Sequence, residues 1–350
     1  MPLLPDQLDD FVNLTLDNFK KRKWVDLSLD LQHHIFASKF LKGKAADPEK
    51  GGVQLNWKVQ TTNTGTAKFS ELYSVDVTSV KDLTTEAKQQ WTKSTVNFSY
   101  DVDEDVFQSD RETIIREVEV REHSMYNDWF ELMEEALWTA PTSDSQSPRK
   151  PSGIPFWIQP GTGSGGFVGG DPSGFSNGAG GIKVADVANW KNWAGQYTTA
   201  SRDDLIAKIR KACEFTYFQA PKQFAELAGG KGDSDWMFFT TYDTLSELEK
   251  LLESRNDNLG ADLSKYAGSV VIKGNPVVWV PYLQENTSND PFYGVNLRVF
   301  KFFFRKGRKM LRHAPQQAAR QHTVREVHMD TWGNFVCYNR RKLFVLNKAS

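Results

Sequence analysis

Apolar and polar positions alternate between residues 53 and 102. Val53, Leu55, Trp57 and Val59 take every second position of "VQLNWKV", and Val96, Phe98, Tyr100 and Val102 do the same in "TVNFSYDV". Between them lie the turn "TTNTGT" and a further alternation at Val75 and Val77. Period two broken by turn residues predicts half-buried antiparallel strands. About fifty residues of this kind, with polar faces, predict a long hairpin extending from a body. Such a hairpin is marginal alone, so another surface must cover it.

The period then lengthens. Ser109 followed by Glu112 reads as a capping box, and Ile115, Val118, Met125, Trp129, Phe130, Met133 and Leu137 fall three or four apart. This predicts one helix over 109–138, about 45 Å long. A second capped helix starts at Ser201 with Asp204, its stripe being Leu205, Ile209, Ala212 and Cys213. A strand "WMFFTTY" leads to a helix "TLSELEKLLESR" with Thr244 as its cap, and "SVVIKG" and "NPVVWVPYL" read as short strands. Val295 to Phe304 reads as one buried strand, and the chain closes with a hairpin turning at Gly333-Asn334. Residues 1–50 mix both periods and are expected to form an arm, not a core element. His33 and His34 point about 100° apart on a helix, which makes them packing or surface residues and not a metal pair.

Between Thr139 and Gly181 neither period holds. Ten of the twenty-one residues from Gly161 to Gly181 are glycine. The short apolar strand "PFWIQP" followed by Gly161, Gly163 and Gly166 has the spacing of a dinucleotide-binding turn. That turn needs a helix at its third glycine and an acid about 20 residues on, and "FVGGDPSGFSNGAGG" supplies neither. Gly174-Phe175-Ser176-Asn177-Gly178 has the form of a nucleophile elbow but lacks the flanking strand and helix. The stretch therefore reads as a flexible glycine-rich loop.

Composition narrows the class. The chain has 350 residues, 39% hydrophobic and 25% charged, with 11 Trp and 23 Phe. That length implies about two domains or one elaborate one, with a core that needs no staple. Cys213 and Cys337 stand far apart, so neither a disulfide framework nor a zinc site is expected. "MPLLPDQLDDF" is no signal peptide, and no apolar run has transmembrane length. These readings place the chain in a reducing cytoplasm, away from membranes.

The net charge of -1 hides segregation. Residues 101–135 carry thirteen acids against three bases, and residues 298–350 thirteen bases against two acids. Two solvated faces that cancel within one fold, complementary patches that meet between copies, and nucleic-acid contact all remain open. Asp101, Asp103, Asp105 and Glu112 occupy positions 1, 3, 5 and 12 of a calcium loop, although Val106 stands where glycine is needed. In "RVFKFFFRKGRKMLR" the phenylalanines run too continuously for an exposed stacking platform and are read as buried. Arg305, Lys306, Arg308, Lys309 and Arg312 form a basic turn that would face an interface or DNA.

The order of elements resembles the major capsid protein of tailed double-stranded-DNA bacteriophages, the Hong Kong 97-type fold. "NPVVWVPYL" resembles the axial-domain strand before the return to the peripheral domain, and "WGNFVCYNRRKLFVL" the closing hairpin. The resemblance implies an α+β chain with an N-terminal arm at 1–50 and an extended β-hairpin loop at 51–108. A spine helix, Gly-rich loop and peripheral domain would fill 109–230, an axial domain 231–294, and the return to the peripheral domain 295–350. It implies a non-catalytic protein without cofactors that assembles through pentamers and hexamers into an icosahedral head around double-stranded DNA. Its partners would be a separate scaffolding protein, portal and decoration proteins, and non-specifically held DNA. It would be assembled in the host bacterial cytoplasm and reside in the virion. Some members of this family cross-link a lysine of the extended loop to a distant asparagine. Lys58 and Lys68 lie in the corresponding region, and that chemistry is not carried over. The alternative from another class is a calcium- or glycan-binding β-rich virion or surface module.

Overall fold

The computed structural model describes residues 33–41, 46–49, 52–70, 81–101, 111–218, 235–253 and 270–349. In chain order its strands are β1 (Ala46–Glu49), β2 (Gln54–Gln60), β3 (Thr84–Gln90), β4 (Thr92–Asp101), β5 (Trp193–Tyr197), β6 (Trp236–Thr240) and β7 (Val271–Ile272). They continue with β8 (Asn275–Trp279), β9 (Phe292–Asn296), β10 (Phe300–Arg305), β11 (Leu311–Arg312), β12 (Gln316–Gln317), β13 (Val324–Cys337) and β14 (Phe344–Lys348). Three longer helices are α1 (Arg111–Trp138), α2 (Ala207–Thr216) and α3 (Tyr242–Glu253).

The first sheet is built around β13. Along one edge β13 pairs antiparallel with β10, β11 and β12 in turn, and along the other with β4. Helix α1 lies across this sheet, and its Trp129 indole donates to Ser94 Oγ at 2.9 Å. The predicted stripe is the buried one: Met125, Trp129, Met133 and Leu137 are all in the core. At 1.5 Å per residue its 28 residues span about 42 Å. Ser109 and the side chains of Glu112, Ile115 and Val118 lie outside the described residues.

The expected arm is corrected in part. Residues 1–32 lie outside the described residues, but the π-helical turn Phe36–Leu41 is a core element. Phe36 and Phe40 are fully buried among Trp129, Phe300, Phe302 and Phe335. The buried Glu134 of α1 takes the Phe36 N–H on Oε2 at 2.7 Å and the Trp138 indole N–H on Oε1 at 2.8 Å. It thus satisfies a helix-start donor that no local side chain caps. β1 then adds a parallel strand to the edge of β10.

The second sheet has the order β5-β14-β9-β6-β8-β7. Both of its faces are covered, and alternate residues serve different cores. Trp193, Phe238, Phe292, Phe344 and Leu346 face α2 and α3. Ala194, Met237, Phe239, Tyr293 and Val345 face the core shared with α1. This two-sided burial explains why "WMFFTTY" is apolar without alternation. The α2 stripe is buried as predicted, and Ser201 Oγ accepts the Asp204 N–H at 3.2 Å. Thr244 is not the cap of α3. The helix starts at Tyr242, and Thr244 lies buried in its first turn, bonded to Thr241 and the Tyr197 hydroxyl.

Four other expectations are corrected. β4 belongs to the first sheet and not to the hairpin, which among the described residues is β2 with β3; Val75 and Val77 lie outside them. Residues 295–304 are two strands in two sheets, separated by a turn at Leu297–Val299. "PFWIQP" is no strand: its first three residues close a one-turn helix, Ile154–Trp157. Gly333-Asn334 is no turn: β13 runs straight through it and β14 joins the other sheet. A Cβ on Gly333 would sit 2.4 Å from the Phe302 ring, so the glycine permits close packing and not chain reversal. The Asn334 side chain accepts from Ser152 N at 2.9 Å and donates to Gln90 O at 2.7 Å, tying the hairpin base to the sheet. Leu55 and Trp91 complete this contact against Phe303 and Val336, on the back of the first sheet.

Burial raises the Glu134 pKa above its ordinary value of 4.5, against the opposing pull of its hydrogen bonds. An acid shifted this way holds its proton longer in the folded chain. Its contribution to stability is therefore fullest below pH 4.5 and is lost as pH rises through the folded pKa. Denaturation of wild type and Glu134→Gln across pH 4–8 is expected to show this slope only in the wild type. Parallel curves would remove Glu134 from the pH response.

Candidate functional site

The basic turn joins β10 to β11. Its cations do not all face outward. The Arg305 guanidinium lies over the Trp332 ring at 5.7 Å, and Lys309 Nζ lies over the Phe304 ring at 4.9 Å and reaches Leu41 O at 3.4 Å. Arg312 Nη1 meets Glu122 Oε1 of α1 at 2.5 Å. That pair joins the acidic and basic stretches within one chain. Lys306 and Arg308 are exposed and make no side-chain hydrogen bond or ion pair among the described residues. The phenylalanines between them are buried, as the continuous run predicted: Phe300, Phe302, Phe303 and Phe304 all pack in cores.

A second cationic feature lies on the other side, where β13 ends. Asn339, Arg340 and Arg341 were read as part of a hairpin; they form a 3-10 turn, with Asn339 Oδ1 capping the Arg341 N–H at 3.0 Å. The turn sends consecutive arginines in opposite directions. Arg340 is fully buried and donates to Trp157 O at 2.8 Å, Trp190 O at 3.0 Å, Gly170 O at 2.7 Å and Asn192 Oδ1 at 3.3 Å. Burial pulls its pKa down to about 10, so it stays charged at neutral pH. Arg341 instead packs against the neighbouring rings of Phe167 at 4.6 Å and Phe218 at 4.5 Å, which lie 5.8 Å apart on one side of it. Burial lowers its pKa as well.

The glycine-rich segment is held by this arrangement and is not a loose loop. Gly166 bridges Ala194 of β5, Gly170 accepts from Arg340, and no helix follows Gly166. A Cβ on Gly169 would fall 1.9 Å from Asn192 Oδ1, so only glycine lets the segment lie against β5. Ser176 of the elbow-like motif is exposed in a turn, without flanking strand or helix.

Arg341 opens into a cleft of about 510 Å³ beneath the hairpin, walled by Lys58, Gln60 and Asn63 on one side and by Asn189, Trp190 and Asn339 on the other. Lys58 and Asn339 share this cleft. Among the described residues that line it, none is an acid that could accept a lysine proton.

The remaining predicted residues do not converge. Asp101 closes β4, and its Oδ2 accepts from the Thr323 hydroxyl at 3.2 Å. Asp103 and Asp105 lie outside the described residues, as does the side chain of Glu112. Among the described residues no group of three or more His, Cys, Asp or Glu could hold a metal ion. Cys213 and Cys337 are buried thiols, pushed up to about 11 and about 12 by burial. His33 and His34 do diverge: His33 stands edge-on to Trp279 at 5.1 Å, while the His34 ring nitrogens are buried. Among the described residues no helix is long and apolar enough to cross a membrane.

Replacing Arg340 tests whether it holds this region together. A lysine ammonium cannot span four acceptors reached by three guanidinium nitrogens. At about 1.5 kcal/mol per charged hydrogen bond lost, Arg340→Lys is expected to cost about 3 kcal/mol or more in urea denaturation. A loss under about 1 kcal/mol would show that the segments hold without it.

No protein-family model matches the chain, and no curated protein matches it in sequence. Solved structures do match it, over nearly its full length. The cyanophage A-1(L) capsid asymmetric unit is 13% identical, covers 95% of this chain and 98% of that one, and has a TM-score of 0.59. The capsid of the native GTA particle is 11% identical over 95% and 97% of the two chains, at a TM-score of 0.53. The capsid of Myoviridae phage XM1 is 10% identical over 100% and 99%, at 0.52. The chain therefore has the α+β fold of these capsid proteins, the fold class that the order of its elements implied.

Proposed function

We propose that the chain is the shell-forming subunit of a phage head, self-assembling through pentamers and hexamers into an icosahedral shell around double-stranded DNA. The observation that carries this reading is the fold match to capsid proteins, which leaves almost no part of either chain unmatched. The protein is a structural one with no catalytic role. It is assembled in the host cytoplasm, with a separate scaffold, portal and decoration proteins as partners, and ends in the virion. The hairpin β2–β3 is the part suited to lie on a neighbour. It pairs with no third strand among the described residues, and Phe69 beyond it is wholly exposed. Surfaces repeated in many copies can bury far more area than one pairwise contact. The basic turn faces DNA or a neighbouring subunit, with Lys306 and Arg308 as its available cations.

Light scattering and negative-stain microscopy of the purified protein, alone and with candidate scaffold, are expected to show hollow shells or pentamers and hexamers. A monodisperse monomer under every condition would overturn the reading. For the basic turn, duplex-DNA binding by Lys306→Glu/Arg308→Glu is measured against salt. Each phosphate contact contributes about 0.9 to the slope of log K against log salt, so the slope should fall by about 2. An unchanged slope removes these residues from DNA contact.

A further inference from the structure

Two strands each keep one edge unpaired among the described residues, and the direction of nearby hydrogen bonds shows which backbone groups stand open. In an antiparallel strand the N–H and C=O of one residue point to one side, and those of the next point to the other. On β13, Val324 O, His328 O and Trp332 N all bond toward the β10–β12 side. Its odd-numbered residues therefore face β4, in agreement with the Thr92 hydroxyl on Gly333 O and the Ser94 hydroxyl on Thr331 O. Thr92 pairs with Gly333 and Ser94 with Thr331, so the even residues of β4 bond to β13. Lys93, Thr95, Asn97 and Ser99 turn their backbone outward, and no backbone partner meets them there among the described residues. Ser99 O takes the Arg121 guanidinium at 3.3 Å. Between Lys93 and Asp101 the strand carries no charge and no proline, the devices that keep an open edge from pairing. The other open edge is β2. On β3, the Lys88 N–H donates to Gly180 O at 2.8 Å and Gln90 O accepts from Asn334, so its even residues turn away from β2. They stand opposite the even residues of β2. Asn56, Lys58 and Gln60 therefore also turn their backbone outward, and their side chains are exposed.

We propose that β2 of a second copy adds to the open edge of β4 as an antiparallel strand. The proposal rests on the reading of the chain as a self-associating subunit, and it names the surface that receives the hairpin. The remaining edges among the described residues do not serve. β7, β11 and β12 have two residues each, β1 contains Pro48, and the edge of β5 is taken by Gly163 and Gly166. β4 cannot join the β4 of another copy, because α1 packs on it through Trp129 and Arg121. Strands about 4.8 Å apart would bring two such helices well inside the roughly 8–10 Å that helix packing needs.

β2 carries no helix of its own. It also cannot reach the β4 of its own chain: Gln54 lies opposite Gln90, and β4 runs on from Thr92 beyond that end. The pairing satisfies two patterns at once. Any antiparallel register that joins the outward groups sets Asn56 and Lys58 on one face with Thr95 and Asn97, and Trp57 on the other with Val96. Polar positions then lie beside polar ones and apolar beside apolar. The backbone bonds supply the affinity, as they do wherever a strand is added to a sheet edge.

Hydrogen exchange read residue by residue, on the full-length protein before and after assembly, tests this. Before assembly the amides of Lys93, Thr95, Asn97 and Ser99, and of Asn56, Lys58 and Gln60, should exchange fast. Those of Ser94, Val96 and Phe98, bonded to β13, should exchange slowly throughout. In shells the two open sets should slow together, by about tenfold or more. Asn97→Pro removes one outward donor at an edge, where a strand tolerates proline. It should leave the unassembled protein folded and abolish shells, whereas Asn97→Ala keeps the amide and should assemble like wild type. The proposal is overturned if the outward β4 amides are already slow before assembly, if β4 slows without β2, or if Asn97→Pro forms shells as wild type does. Should Asn97→Pro fail to fold, the exchange pattern of the wild type decides. Shells that form without this alternating protection overturn the β2–β4 contact alone. A wild type that never self-associates overturns the subunit reading beneath it.

Discussion

One buried guanidinium organises the region where the two sheets meet. Arg340 gathers the carbonyls of Trp157, Trp190 and Gly170 and the side-chain oxygen of Asn192, four points distant in sequence. No carboxylate hydrogen-bonds to it, so aligned dipoles hold the charge, with the nearby Asp171 adding attraction. Such an arrangement tolerates little displacement, because a buried charge that loses its partners is among the most costly defects a core can contain. It also decides what its neighbour does. With Arg340 turned inward, the tight turn places Arg341 outward against the Phe167 and Phe218 rings.

The same logic of alternation explains the architecture. A strand sends successive side chains to opposite faces. Here both faces of both sheets are used. In the first sheet Phe302 and Phe304 face α1, while Phe303 faces the hairpin base. In the second, Phe238 and Phe239 belong to different cores. The heavy aromatic content is a consequence, since each strand must fill two interiors at once.

Local pattern made some of this legible. The stripe of α1, the Ser201 cap and the buried phenylalanine run could be read because each depends on neighbours in sequence. Gly333-Asn334 could not, because its meaning comes from the Phe302 ring and from Ser152 and Gln90, all distant. Residues 295–304 looked like one strand because nothing local marks a change of sheet at Leu297–Val299. The glycine run looked loose because its partners, Asn192 and Arg340, lie outside it. At the candidate sites the basic turn was visible as charge, but Arg312 pairs with a glutamate 190 residues away. The Arg340–Arg341 turn carries a local sign, two adjacent arginines after an asparagine between apolar strands. At 10–13% identity the fold shares few residues with its matches, and the order of elements carried more of the resemblance than any one stretch.

Strand β13 makes ten consecutive register pairs with β4, from Val324 to Gly333, and is bordered on its other side by β10, β11 and β12. Its ladder bonds lie across the strand axis. A pull along β13 therefore loads them together in shear, whereas a pull at right angles would open them one after another. Asp101 stands at one end of this strand and the Arg341 turn follows the other. Tension between those two ends is carried by the whole ladder and not by a loop. The strand acts as a tie-rod through the protein, stiff along the one direction in which its ends are set apart.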